Sequence, residues 1–179
     1  MTLNDIPLQT IDGEPTSLAA YEGRVLLIVN VASKCGLTPQ YESLEALFEA
    51  RRAEGLVVLG FPANNFANQE PGADEDIKSF CSLTYDVSFP MFSKISVRGD
   101  DIHPLYDALT TARPERVGGE TLLSLLTEKG LAPATATEVM WNFEKFLVGR
   151  DGEVVARFGP DVTVDDPRVI AAIDGALAR

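Results

Sequence analysis

Histidine occurs once in this 179-residue sequence and cysteine twice. One histidine and two well-separated cysteines cannot supply a zinc site of ordinary ligand spacing, so no metal is expected. Two thiols are also too few for the disulfide framework of a small secreted domain. No C-x-x-C pair is present, which disfavours a general disulfide-exchange enzyme whose second thiol lies within one helical turn. The single histidine, His103, precedes Pro104 at a predicted helix start, where a surface or capping role suits it better than catalysis. Basic residues are scarce, 15 against 27 acidic ones, for a formal net charge of −12. That balance argues against nucleic acid or an anionic membrane as partner. Long apolar runs are missing too. The longest, residues 25–32, contains Asn30 and is far too short to cross a bilayer, so no membrane anchor is expected. The first ten residues have neither a basic start nor an apolar core, so no secretory leader is expected and the expected address is cytoplasmic.

What is present reads as one domain over residues 1–179, with 45% hydrophobic and 23% charged residues. Asp12-Gly13 marks a turn between two short extended pieces, predicting an N-terminal hairpin. Residues 24–33 form a nearly unbroken apolar run, the pattern of a strand covered on both faces. Pro39 suits the first turn of the next helix, with Thr38 as its cap. Tyr41, Leu44, Leu47 and Phe48 follow at helical spacing, and Gly55 suits the stop. A second apolar strand at 56–61 completes a β-α-β unit. Helices are predicted at 74–85 and 104–111, with an extended stretch at 88–97 broken by Pro90. Arg150-Asp-Gly152 joins two strands, 143–148 and 153–158, and an amphipathic helix at 168–178 closes the chain. The sum is an α/β fold with a central mixed sheet flanked by helices, in the thioredoxin-like order. Residues 113–139 read as a surface elaboration. Leu122, Leu123, Leu125 and Leu126 suggest a helix there, between flanks rich in Gly, Ala, Thr and Pro.

Cys35 follows a buried strand and precedes a helix. Backbone N–H groups and the positive end of a helix dipole favour the thiolate, which is the nucleophilic form. Position alone leaves open both this reading and that of a small core residue. A thiolate that attacks a peroxide needs hydrogen-bond donors waiting where the departing oxygen gathers charge. Gln69 and Asn142 carry amide donors, and Trp141 carries an indole N–H that can only donate. Each also has an ordinary structural reading: a turn glutamine, a core tryptophan, a strand-capping asparagine.

Three segments resemble the glutathione peroxidase family. They are Asn30-Val-Ala-Ser-Lys-Cys-Gly-Leu-Thr38, Gly60-Phe-Pro-Ala-Asn-Asn-Phe-Ala-Asn-Gln-Glu-Pro-Gly72 and Trp141-Asn-Phe-Glu-Lys-Phe-Leu-Val148. They occur in the family's order, and the likeness runs from about Leu8 to the last helix. The resemblance implies a thioredoxin-like fold and a peroxidase that reduces hydroperoxides through Cys35. By the same match Gln69, Trp141 and Asn142 take the remaining active-site positions, with no cofactor required. Cys81 resembles the resolving cysteine of the thioredoxin-dependent branch, where it would condense with oxidised Cys35 for thioredoxin to reduce. Glutathione is the second choice of reductant. The alternative function is a redox sensor or relay that passes oxidation to a partner protein through the same two thiols. Departures from the common pattern fall at Ala63, Asn65, Ala67-Asn68 and Met140. They bear on substrate access and on docking of the reductant.

Overall fold

The computed structural model describes residues 2–179. The two apolar runs form β3 (Val25–Val31) and β4 (Leu56–Pro62), and all seven residues of each are buried. They pair in parallel from Val25↔Leu56 to Val31↔Pro62. A parallel pair needs a crossover, which α1 (Gln40–Arg51) supplies before Gly55, at φ +108, turns the chain into β4. Before this unit, β1 (Leu8–Gln9) and β2 (Pro15–Thr16) form the hairpin expected around Asp12-Gly13. After it, β5 (Lys145–Val148) lies antiparallel to β3, and β6 (Val154–Phe158) antiparallel to β5. The sheet order is therefore β4-β3-β5-β6, a mixed sheet of thioredoxin-like type. Helix α1 packs on β4 and on α2 (Asp74–Tyr85), while α5 (Pro167–Leu177) packs on β3, β5 and β6.

The predicted extended stretch at 88–97 is not a regular strand. It meets the outer edge of β4 through one bridge, Gly60↔Met91, in which Gly60 N donates to the Pro90 carbonyl and Phe92 N to the Gly60 carbonyl. Pro90 has no N–H to extend the ladder, so pairing stops there, yet the edge is covered. A Cβ at Gly60 would lie 2.5 Å from the Met91 sulfur and 3.2 Å from the Phe89 ring, so a side chain there would require Met91 to shift.

Two helices complete the chain. In α3 (Pro104–Ala112) His103 is the N-cap, its Nδ1 accepting from Leu105 N at 3.1 Å. Helix α4 (Glu120–Glu128) lies within 113–139 and buries only Leu126, leaving Leu123 and Leu125 exposed. The base of that segment is fixed to the sheet. Val117 N donates to the Arg157 carbonyl, and the Arg157 side chain returns bonds to the carbonyls of Arg113, Pro114 and Thr137. Among the described residues no helix is long and apolar enough to cross a membrane.

Candidate active site

Strands β3 and β4 run in parallel and β5 runs against them, so the carboxyl ends of the first two meet the amino end of the third. Three connections converge at that edge: residues 32–39 after β3, 63–73 after β4 and 139–144 before β5. They carry Cys35, Gln69 and Trp141-Asn142, and hydrogen bonds join them. Lys34 N donates to the Gln69 carbonyl at 3.0 Å, which ties the cysteine loop to the glutamine loop. Asn142 Nδ2 donates to Gln69 Oε1 at 2.9 Å, which ties the third loop to the second. With its oxygen occupied, the Gln69 side chain keeps its N–H₂ end for other partners.

Cys35 is a free thiol, 9% exposed. Leu37 N points at its sulfur, 3.3 Å away. The loop geometry comes from Thr38, whose hydroxyl accepts from Cys35 N at 2.9 Å and donates to the Ala32 carbonyl at 2.8 Å. Thr38 is therefore a loop clamp. The expected helix-capping role is overturned because its hydroxyl is already used, and α1 starts at Gln40 with Pro39 at the cap position.

Gln69 follows Ala67 and Asn68, both left-handed at φ +53 and +54. Asparagine tolerates that region and alanine resists it, so the turn presenting Gln69 is held by its surroundings. Among them, Asn64 Oδ1 accepts from Glu70 N at 3.0 Å. Beneath the turn Phe66 is fully buried, with the Trp141 ring 5.3 Å away and the Arg98 guanidinium 4.4 Å from its centroid.

The Trp141-Asn142 turn is gripped along its length. Asn30, wholly buried in β3, donates from Nδ2 to the Trp141 carbonyl at 3.0 Å, and its own carbonyl accepts from Phe143 N at 2.6 Å. Glu144 Oε1 accepts from Met140 N at 3.2 Å, and Lys145 Nζ donates to the Phe143 carbonyl at 2.6 Å. Phe143 itself is left-handed at φ +72. Neither Asn30 nor Lys145 was singled out by sequence reasoning as part of the site. The available signal was a polar residue inside each of two apolar runs.

Cys81 is also a free thiol, 2% exposed and inside α2. Burial pushes it up to about 11, opposed by the Tyr41 hydroxyl beside it, while the Glu70 carboxylate adds to the rise. Glu70 is 1% exposed, and burial raises it as well, offset by Ser33 and by the charges of Lys94 and Lys34. The structure does not join the two thiols. A cavity of about 440 Å³ lies between the cysteine loop (Ser33, Lys34), the loop around Glu70 and the α2 side chains Ile77 and Phe80.

Comparison with known proteins gives a consistent result. The family model described as glutathione peroxidase matches residues 3–110. The chain is 54% identical to the thioredoxin/glutathione peroxidase BtuE of Escherichia coli, over 96% of this chain and 95% of that one. It is 44% identical to the hydroperoxy fatty acid reductase gpx1 of Synechocystis, over 96% and 92%. Among solved structures, the T. cruzi GPX1 matches with a TM-score of 0.71 and 30% identity, covering 99% of this chain and 97% of that one. A thioredoxin-family protein from Chlorobium tepidum, 16% identical at a TM-score of 0.56, shares the fold.

Proposed function

This chain belongs to the glutathione peroxidase family and is a thiol peroxidase, and on that premise we propose that Cys35 is its peroxidatic nucleophile, with Cys81 as the resolving thiol. The observation that carries this reading is the hydrogen-bonded junction of three distant segments beside Cys35, through the Lys34 N–Gln69 carbonyl bond and the Asn142–Gln69 pair. The Cys35 thiolate attacks the terminal peroxide oxygen, the O–O bond breaks, and the departing alkoxide or hydroxide takes up a proton. Cys35 is left as a sulfenic acid. Gln69, Trp141 and Asn142 supply neutral N–H donors to the thiolate and to the departing oxygen, where preorganised donors lower the barrier most.

Resolution then requires α2 to open. A buried thiol pushed up to about 11 is protonated at neutral pH, and its helix holds it by backbone hydrogen bonds. Opening returns Cys81 to water, which restores its acidity and frees it to cross toward the cysteine loop. Its thiolate attacks the Cys35 sulfur, hydroxide leaves and is protonated to water, and a Cys35–Cys81 disulfide forms. A dithiol supplies the two electrons and protons that restore the enzyme. Thioredoxin is the proposed reductant, glutathione the second choice, and a reducing cytosol the proposed setting. The name of the Synechocystis relative supports including lipid hydroperoxides among the substrates.

The test combines two variants with mass spectrometry under non-reducing conditions. Cys35→Ser should abolish peroxide consumption. Cys81→Ser should consume one equivalent and then stall unless glutathione is supplied. Wild type treated with one equivalent of peroxide should carry the Cys35–Cys81 link. Sustained turnover by Cys35→Ser would remove Cys35 from its role, and oxidised wild type without the link would remove Cys81 from its own.

A further inference from the structure

Lys145 is wholly buried on β5, a setting lysine almost never occupies without an ionic partner. Among the described residues its ammonium makes no ion pair, because the neighbouring Glu144 carboxylate is taken by Arg116 and Arg157. Both of its hydrogen bonds go to main-chain carbonyls, Phe143 at 2.6 Å and Pro160 at 3.1 Å. The Pro160 carbonyl has a second donor, Gln40 Nε2 at 2.8 Å. Gln40 is the first residue of α1, just after the loop that carries Cys35, and it too is buried. A continuous line of hydrogen bonds thus runs from Phe143 through Lys145 and Pro160 to Gln40. The rings of Phe143 and Tyr41 make a parallel link, edge to face at 5.5 Å.

We propose that Lys145 is a positioning residue for the peroxidatic centre, bracing the turn that carries Trp141 and Asn142 against the start of the helix that follows Cys35. The inference rests on the reading of Cys35 and its donors given above. Phe143 is the next residue after Asn142, and its left-handed backbone turns its carbonyl toward Lys145. A non-glycine residue keeps that conformation only where its surroundings enforce it. Asn30 fixes the Trp141 carbonyl on one side of Asn142, and Lys145 fixes the Phe143 carbonyl on the other. Mere filling of volume would be served better by methionine, since replacing buried charge with apolar groups of similar size is often neutral or stabilising. A long donor at this position can serve both carbonyls at once, and methionine can serve neither.

The test uses Lys145→Met, Gln40→Leu and the double variant. Trp141, the only tryptophan, reports on the turn through its fluorescence. With wild-type circular dichroism, Lys145→Met should shift the Trp141 emission and slow oxidation of Cys35 by peroxide about tenfold to a hundredfold, the range for a small misplacement of reacting groups. Gln40→Leu, far from Trp141 in sequence, should shift the same emission. The double variant should be no slower than Lys145→Met, since both act through one carbonyl. A purely structural lysine would lower the melting temperature and leave emission and rate unchanged. That result, or additive effects of the two substitutions, would overturn the brace. If Lys145→Met does not fold, Gln40→Leu carries the test from the other end. If wild-type Cys35 fails to react with peroxide, the peroxidatic reading falls, while Trp141 emission and the rate of Cys35 alkylation still decide the brace.

Discussion

Lys145 also offers a thermodynamic test that does not depend on its role in positioning. Burial lowers it from 10.5 to about 7, against the opposing pull of Glu144 and Asp161. Below pH 7 the lysine is charged in both folded and unfolded chains, and the cost of burying it is fully present. Between pH 7 and 10.5 the unfolded chain holds a proton that the folded chain has lost, so folding becomes more favourable as pH rises. Denaturant titrations of wild type and Lys145→Met should therefore differ by a constant amount in acid. The difference should then move toward wild type above neutrality, with a slope of at most about 1.4 kcal/mol per pH unit. A flat difference from pH 6 to 10 would mean that Lys145 keeps its proton in the folded chain throughout. At this scale the sequence was only partly legible. Gln69 and Asn142 could be paired only through a family motif, since their bond spans 73 positions. The Asn30 bond to Trp141 spans 111 positions, and a polar residue in a strand does not announce its partner.

Secondary structure was easier to read, because it depends on neighbours in sequence. Helix α2 occupies Asp74–Tyr85 as expected, its first turn acidic and its buried residues, Ile77 and Cys81, one turn apart. The misplaced start of α1 and the missing strand at 88–97 both fall in proline-containing segments whose polar groups are claimed outside the expected element. The Thr38 hydroxyl is used within its own loop. The N–H groups of Ser88, Lys94 and Val97 donate to Glu45, Asp74 and Asn65. In the proposed resolution step α2 opens before Cys81 meets Cys35, so its intrinsic stability should control the second chemical step and not the first. Ser82 is exposed on this helix, and Ser82→Ala improves helix propensity by about 0.5 kcal/mol. Stopped-flow measurement should show Cys35 oxidation at the wild-type rate, and disulfide formation slowed about twofold by that propensity gain. Equal slowing of both steps would mean that α2 does not open separately.

Across the whole molecule, one buried carboxylate links the least regular segment to the sheet. Glu144 has no exposed surface and accepts from Arg116 Nε at 3.0 Å and Arg157 Nε at 2.8 Å. Arg116 continues to the carbonyls of Ala136 and Glu138, so residues 113–139 are closed at both ends around this centre. Glu144→Gln would strand two guanidinium groups in the interior, and breaking a buried pair typically costs about 3–5 kcal/mol. Urea unfolding should show a loss of that order, with hydrogen exchange rising first in 113–139; a loss below about 1 kcal/mol would mean that water replaces the carboxylate. The sequence offered no access to this network. Arg113, Arg116, Glu144 and Arg157 look like surface charges until the fold encloses them.

The placement of Cys81 inside a docked helix has an electrochemical consequence. If Cys81 resolves Cys35 as proposed, packing of α2 favours the dithiol, because the disulfide then forms only once that packing is given up. Every 1.4 kcal/mol of docking free energy therefore raises the reduction potential of the Cys35–Cys81 couple by about 30 mV. A helix that clasps its cysteine more tightly makes the oxidised protein a stronger oxidant, so electrons from a donor dithiol flow toward it more readily. The same fold that delays the closing of the disulfide thus drives its reopening, and the resting enzyme is returned to the state that meets peroxide.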